Sequence, residues 1–155
     1  MRHNYKPQER DYSCGPAALR NCLIHFGYSI TEKTIRKVCE ANKEGTDEEG
    51  MYNGCFHFGF DPIELYSISP EVFKRKIIKG LKQGKVYIVS VEDGNHWISA
   101  LEYKGRKIKI VDSDYRRFGK SIVQYLTSNQ LINTSFCYDK FNKKKTFYAI
   151  ELTLK

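Results

Sequence analysis

Apolar residues recur at Ala18, Leu19, Cys22, Leu23 and Phe26, the spacing of a helix with one buried face. Pro16 suits its first turn and Gly27 its end. Thr31 can cap a second helix carrying Ile35, Val38 and Cys39, and Met51, Cys55 and Phe58 before Gly59 mark a short third. Phe60 to Ile68 reads as extended, and Ser69-Pro70-Glu71 then opens a helix with Phe73, Ile77 and Leu81 that stops near Gly84. Beyond it the pattern changes. Val86 to Val91, His96 to Tyr103, Lys107 to Val111 and Phe147 to Leu152 are β-rich runs of an antiparallel sheet, with a turn from Glu92 to Asn95. Helices first and strands later predict an α+β fold, a helical half packed against an antiparallel β-sheet half. Ser121 to Cys137 fits neither period, and neither repeat nor linker divides residues 1–155, so one domain is expected.

With 41% hydrophobic and 14% aromatic residues, the chain has what disordered chains lack. No apolar run approaches the ~20 residues that cross a bilayer, and the polar start lacks the apolar stretch of a secretory signal. A cytoplasmic protein without a membrane span is expected. Its five cysteines are odd in number and not closely paired, which predicts reduced thiols. A net charge of +8 raises the question of a nucleic-acid partner. The basic residues are scattered, however, as in Lys74, Arg75, Lys76, Lys79, Lys82 and Lys85, and no nucleic-acid motif is present. A solvated basic surface without nucleic acid is the reading, with Lys143-Lys144-Lys145 a solvated turn. Glu40 to Glu49 is an acidic exception and reads as a surface loop.

The chemistry concentrates at four residues. Cys14 directly precedes Gly15-Pro16 and the first helix, and a sulfur at a helix N-terminus sits where backbone N–H groups and the dipole favour a thiolate. Gly15 would leave room for a substrate carbonyl, and the Cys14 N–H could point at a developing oxyanion. Gln8, six positions upstream, could bring a second donor. His96 opens a strand at a sheet rim, and Asp112, at the end of the apolar run Ile108 to Val111, could accept its second ring proton. A three-residue turn Lys104-Gly105-Arg106 would set Tyr103 against Lys107 and His96 against Asp114, with Asp112 diagonal on the same face. A two-residue turn would place neither acid there. Parity does not choose between Asp112 and Asp114; the end of the apolar run favours Asp112, leaving Asp114 to begin the polar Tyr115-Arg116-Arg117 loop. Cys22, Cys39 and Cys55 lie on apolar stripes and read as packing residues, while His3 and His25 read as solvent-facing. Cys55 and His57 make no metal-ligand spacing with Cys14 and His96, so neither metal nor other cofactor is expected.

Gln8-Glu9-Arg10-Asp11-Tyr12-Ser13-Cys14-Gly15-Pro16-Ala17-Ala18-Leu19, then Asn95-His96-Trp97, then Val111-Asp112, resembles the family of peptidases that remove double-glycine leaders from bacteriocin precursors, and its free-standing members. The resemblance implies a papain-like fold and a thiol protease in which Cys14 is nucleophile, His96 base, Asp112 orienter and Gln8 oxyanion-hole residue. It also implies a peptide or protein substrate, and a separate ABC transporter as partner, since none is encoded here. Two positions depart from the family: Ser13, where an acid often precedes the cysteine, and Ser113, where proline or glycine often follows the aspartate. The same thioester chemistry would serve acyl transfer or deamidation. A peptide-binding domain without catalysis and a basic nucleic-acid module are the readings from other classes.

Overall fold

The computed structural model describes residues 3–114 and 121–155. Helices α1 (Cys14–His25), α2 (Glu32–Val38) and α3 (Glu48–His57) come first, then β1 (Phe60–Ser67) and α4 (Pro70–Lys82). Strands β2 (Val86–Val91), β3 (His96–Lys104), β4 (Lys107–Val111) and β5 (Val123–Leu126) follow, then α5 (Ser128–Ser135), β6 (Phe136–Asp139) and β7 (Lys144–Leu154). Caps sit where the side-chain chemistry calls for them. Thr31 accepts from the Thr34 N–H at 3.3 Å, Asp47 from Gly50 at 2.8 Å and Ser69 from Val72 at 3.2 Å.

The strands form one antiparallel sheet in the order β1-β7-β2-β3-β4-β5, with β6 paired to the start of β7. Each face carries a core. On one, Ala18, Leu19, Ile35 and Met51 of the first three helices meet Ile88, Trp97, Leu101, Val111 and Ile150. On the other, Phe73 and Ile77 of α4 and Leu131 of α5 meet Tyr87, Val89, Ile98, Ala100, Ile108 and Ile110. Each such large apolar side chain stabilises by about 1.5–3 kcal/mol on burial. The α+β class is as the sequence predicts. The sheet is wider than predicted, because β1, β5 and β6 join it. The stretch from Ser121 to Cys137 folds as β5, α5 and the start of β6; its strands are half-exposed and α5 buries only Leu131 and Ser135, too few positions to set a period. Glu48 and Glu49 form the first turn of α3, not a loop, and Lys144 and Lys145 already belong to β7.

The hairpin of β3 and β4 sets the register of the site. Its turn has two residues, Gly105 and Arg106, both with positive φ (60° and 63°), so Lys104 pairs with Lys107 and Tyr103 with Ile108. The three-residue turn is thus incorrect. A bulge between Ala100 and Glu102 then leaves Leu101 unpaired, and beyond it Ala100 pairs with Ile110 and Ser99 with Val111. That is the register the longer turn would have given, reached by a different route.

The segment before α1 is tied down along its length. Lys6 exchanges hydrogen bonds with the Asn21 side chain at 2.8 and 3.0 Å, and the Gln8 N–H donates to Ser113 O at 3.0 Å. His3 stacks between Tyr5 and His25, with ring centroids 5.6 and 5.4 Å apart, and the Tyr5 hydroxyl lies 3.3 Å from His25 Nδ1. The two histidines are therefore half-buried and not solvent-facing, and burial, with Lys109 and His3 nearby, pushes the His25 ring below its usual range against the pull of Glu102.

Gly80, buried on α4, faces the hydroxyl of Tyr87, which donates to Glu151 Oε2 at 2.7 Å and lies 3.1 Å from Lys76 O. A Cβ at Gly80 would overlap that hydroxyl. Replacing glycine by alanine in a helix normally gains about 1 kcal/mol; here overpacking of the usual 1–3 kcal/mol outweighs the gain. Gly80→Ala is expected to lower the urea midpoint, and a raised midpoint would show that Tyr87 moves aside without cost.

Candidate active site

The start of α1 is set from three sides. No side chain caps its first turn, because the hydroxyl of Ser13 is used elsewhere: it accepts from the Arg10 N–H at 3.0 Å and donates to Glu32 Oε1 at 2.8 Å. Glu32 is fully buried, also takes the Glu9 N–H at 3.2 Å and pairs with Arg36 at 3.4 Å. Burial pushes its carboxyl up, and the bonds from Ser13 and Glu9 pull it back. An acid thus supports the turn before Cys14 although position 13 is a serine; it comes from α2.

Gly15 serves packing. A Cβ there would come within 2.6 Å of Met51 Sδ and 3.2 Å of Trp97 Cδ1, so its missing side chain faces the core and not a substrate carbonyl. This corrects the role expected for it. Trp97 is fixed in turn by its indole N–H, which donates to Thr46 O at 3.1 Å. Ser99 adds a second link from β3 to α1, donating to Ala18 O at 2.8 Å.

His96 is the first residue of β3, after a turn in which Glu92, Asp93 and Gly94 all have positive φ. Thr134 O accepts from the Glu92 N–H at 3.0 Å, and Asp93 Oδ1 from the Tyr138 N–H at 2.8 Å. The end of α5 and strand β6 therefore hold this turn. His96 is 7% exposed and Asp112 1%, and His96 Nε2–H donates to Asp112 Oδ1 at 2.8 Å. Asp112 is itself fixed, its N–H donating to Ile122 O at 2.8 Å and its Oδ1 accepting from the Asp114 N–H at 3.0 Å. The Asp114 N–H thus meets the Asp112 carboxylate; Tyr115, Arg116 and Arg117 lie outside the described residues.

The Cys14 thiol also lies close enough to the His96 ring to act on it by hydrogen bond and charge. Burial favours the neutral ring, but the hydrogen bonds and charges of Asp112 and Cys14 together outweigh it and raise the imidazolium to about 9. All five cysteines are unpaired. Burial pushes Cys22 and Cys39 up to about 12 and also raises Cys55 and Cys137, while Cys14 is partly exposed at the helix start. Cys22, Cys39 and Cys55 pack as the apolar stripes predict.

Gln8 is half-buried beside the turn that leads to Cys14. Its Nε2 donates to Arg10 O at 2.8 Å and lies 3.3 Å from Asp11 O, and its Oε1 accepts from Ser113 Oγ at 3.0 Å. Of the four predicted residues, the structure brings Cys14, His96 and Asp112 together and clamps Gln8 to the residue after Asp112. Sequence reasoning missed Ser113, Ser13 and Glu32. The two serines stood out only as departures from the family, and nothing in the sequence singles out Glu32.

The transporter LagD of Lactococcus lactis subsp. lactis, a lactococcin-G-processing and transport ATP-binding protein, is 26% identical over 121 residues, 78% of this chain and 16% of its own length. The chain therefore spans about a sixth of that relative. The peptidase domain of Streptococcus ComA, a bifunctional ABC transporter of a quorum-sensing pathway, superposes with a TM-score of 0.72 at 20% identity, over 98% of this chain and all of that one. A double-glycine-motif protease from an AMS/PCAT transporter, solved with its leader peptide, gives 0.65 at 16% identity over 96% of this chain and 91% of that one. The two solved structures share this fold, and the pattern of the Peptidase C39 family matches residues 2–126, from before Gln8 to past Asp112: the chain belongs to that family.

Proposed function

We propose that the protein cuts a peptide bond with Cys14 as nucleophile, His96 as acid and base, Asp112 as orienter, and Gln8 Nε2 with the Cys14 N–H as oxyanion donors. The observation that carries this is the buried 2.8 Å bond from His96 to Asp112 on an imidazole that also meets a thiol at a helix start. The Cys14 thiolate attacks the carbonyl carbon and the oxyanion forms toward the two donors, replacing the long contact from Gln8 to Asp11 O. The imidazolium of His96 gives its proton to the leaving amine. Neutral His96 then takes a proton from water, which attacks the thioester, and the acid product and the thiolate–imidazolium pair are released. The substrate proposed is a precursor peptide cut after small residues, two glycines in a leader, in the cytoplasm, with a separate ABC transporter as exporter. Support comes from the relatives' names, one a lactococcin-G-processing transporter and one a double-glycine-motif protease solved with a leader peptide.

Incubating a proteome-derived peptide pool with the protein and with Cys14→Ala, and reading new termini by mass spectrometry, tests the whole reading. Cuts after small residues that vanish in the variant are expected, whereas a requirement for large or charged residues before the cut would overturn the leader assignment. Cys14 should alkylate with iodoacetamide at pH 7 before the other four cysteines, by peptide mapping of the folded protein.

A ring held charged up to about pH 9 also fixes the pH profile. The proton His96 donates is present below that value and lost above it, so kcat/KM is expected to fall along an alkaline limb near pH 9. Asp112→Asn removes a charge that favours the imidazolium, and the limb should move at least about one pH unit lower. Asp114→Asn should leave it in place; the reverse pattern would transfer the orienting role to Asp114.

A further inference from the structure

The geometry points to Ser113 as the residue that positions the oxyanion donor, an inference resting on the role proposed for Gln8. Ser113 is 1% exposed, a position where an unpaired hydroxyl would be costly. Its hydroxyl donates to Gln8 Oε1 at 3.0 Å and its carbonyl accepts from the Gln8 N–H at 3.0 Å. The glutamine is thus held at both backbone and side chain by one residue.

That residue directly follows Asp112. The two side chains reach different partners: Asp112 reaches His96, Ser113 reaches Gln8. One dipeptide therefore fixes the base and the oxyanion donor relative to one another. The carbonyls of Arg10 and Asp11, which only accept, select the Nε2 end of the amide, and the Ser113 hydroxyl holds the Oε1 end that this leaves to it. An amide turned over would set Oε1 against the carbonyls of Arg10 and Asp11, and an oxygen facing a developing oxyanion would raise the barrier instead of lowering it. With Oε1 held on Ser113, Nε2 stays on the side of the turn that leads to Cys14, against Arg10 O and Asp11 O. Ser113 touches no reacting atom. It is a positioning residue, and its hydroxyl is a group that proline or glycine at this place could not supply.

The test is turnover of an internally quenched peptide with two glycines before the cut bond, using Ser113→Ala, Ser113→Thr, Gln8→Ala and the double variant Ser113→Ala/Gln8→Ala. Ser113→Ala is expected to lower kcat about tenfold, the worth of one hydrogen bond, with KM within about twofold. Threonine, which keeps the hydroxyl, should restore most of the rate. Gln8→Ala should cost about 10² to 10³, and adding Ser113→Ala to it should cost less than about twofold more, since the two act as one unit. Cys14 alkylation should proceed at the parent rate in every variant, because the imidazole and Asp112 are untouched. A full tenfold further loss in the double variant, or slowed alkylation in Ser113→Ala, would assign the serine to general support of the site and overturn the inference. So would an unchanged kcat in Ser113→Ala beside a large loss in Gln8→Ala. An unchanged kcat in Gln8→Ala, or no cleavage by the parent protein, would instead remove the oxyanion role on which the inference rests. If Ser113→Ala does not fold, Ser113→Cys, near in size and a weak donor, takes its place with the same outcomes.

Discussion

One unpaired residue, Leu101, decides which way the side chains at the start of β3 face relative to those of β4. The two-residue turn at Gly105-Arg106 starts β3 and β4 in one register, and the bulge moves it by one position before the site is reached. Because side chains alternate along a strand, a shift of one exchanges the two faces. The packing records both registers: Tyr103 and Ile108 share a face near the turn, while beyond the bulge Ala100 lies with Ile110 and Ser99 opposes Val111. Asp112 then falls on the face of Ile110, where His96 is, and Ser113 on the other. Without the bulge His96 would face away from Ile110 and Asp112.

That placement gives the carboxylate its effect. An acid that is 1% exposed is screened little by water, so it holds the imidazolium against the burial that would discharge it. The neighbouring carboxylate, Glu32, is as buried but meets no imidazole; its oxygens take the Ser13 hydroxyl and the Glu9 N–H. One buried acid sets a protonation state. The other sets the shape of the turn that delivers Cys14.

Much of the fold was legible because its signals are local. The caps Thr31 and Ser69, the stripe of α1 and the β-rich runs from Val86 each follow from side chains within a few residues of one another. What was hidden depends on partners far along the chain. β5 and β6 are half-exposed strands whose identity comes from pairing with β4 and β7, and no period in their own residues announces it. Cys14, His96 and Asp112 were legible through a pattern of residue types, yet the reason Asp112 meets His96 was not, since the turn length taken alone gives the opposite answer and the bulge carries no sequence mark. Gly15 was legible as a requirement and misread as to its cause, because only the structure shows Met51 and Trp97 against it.

Gly15 also explains why an unpromising acidic stretch belongs to the site. Trp97 can fill the space beside Gly15 only if its indole N–H finds a partner, as a buried donor must, and that partner is the carbonyl of Thr46. Asp47 then caps α3, and α3 carries Met51 back against the same glycine. The segment from Thr46 to Met51 thus closes a loop of contacts around the first turn of α1, joining it to the strand that begins with His96. Cys14 and His96 are thus joined through this ring of packing, in which the absence of one Cβ lets helix, tryptophan and methionine approach at once.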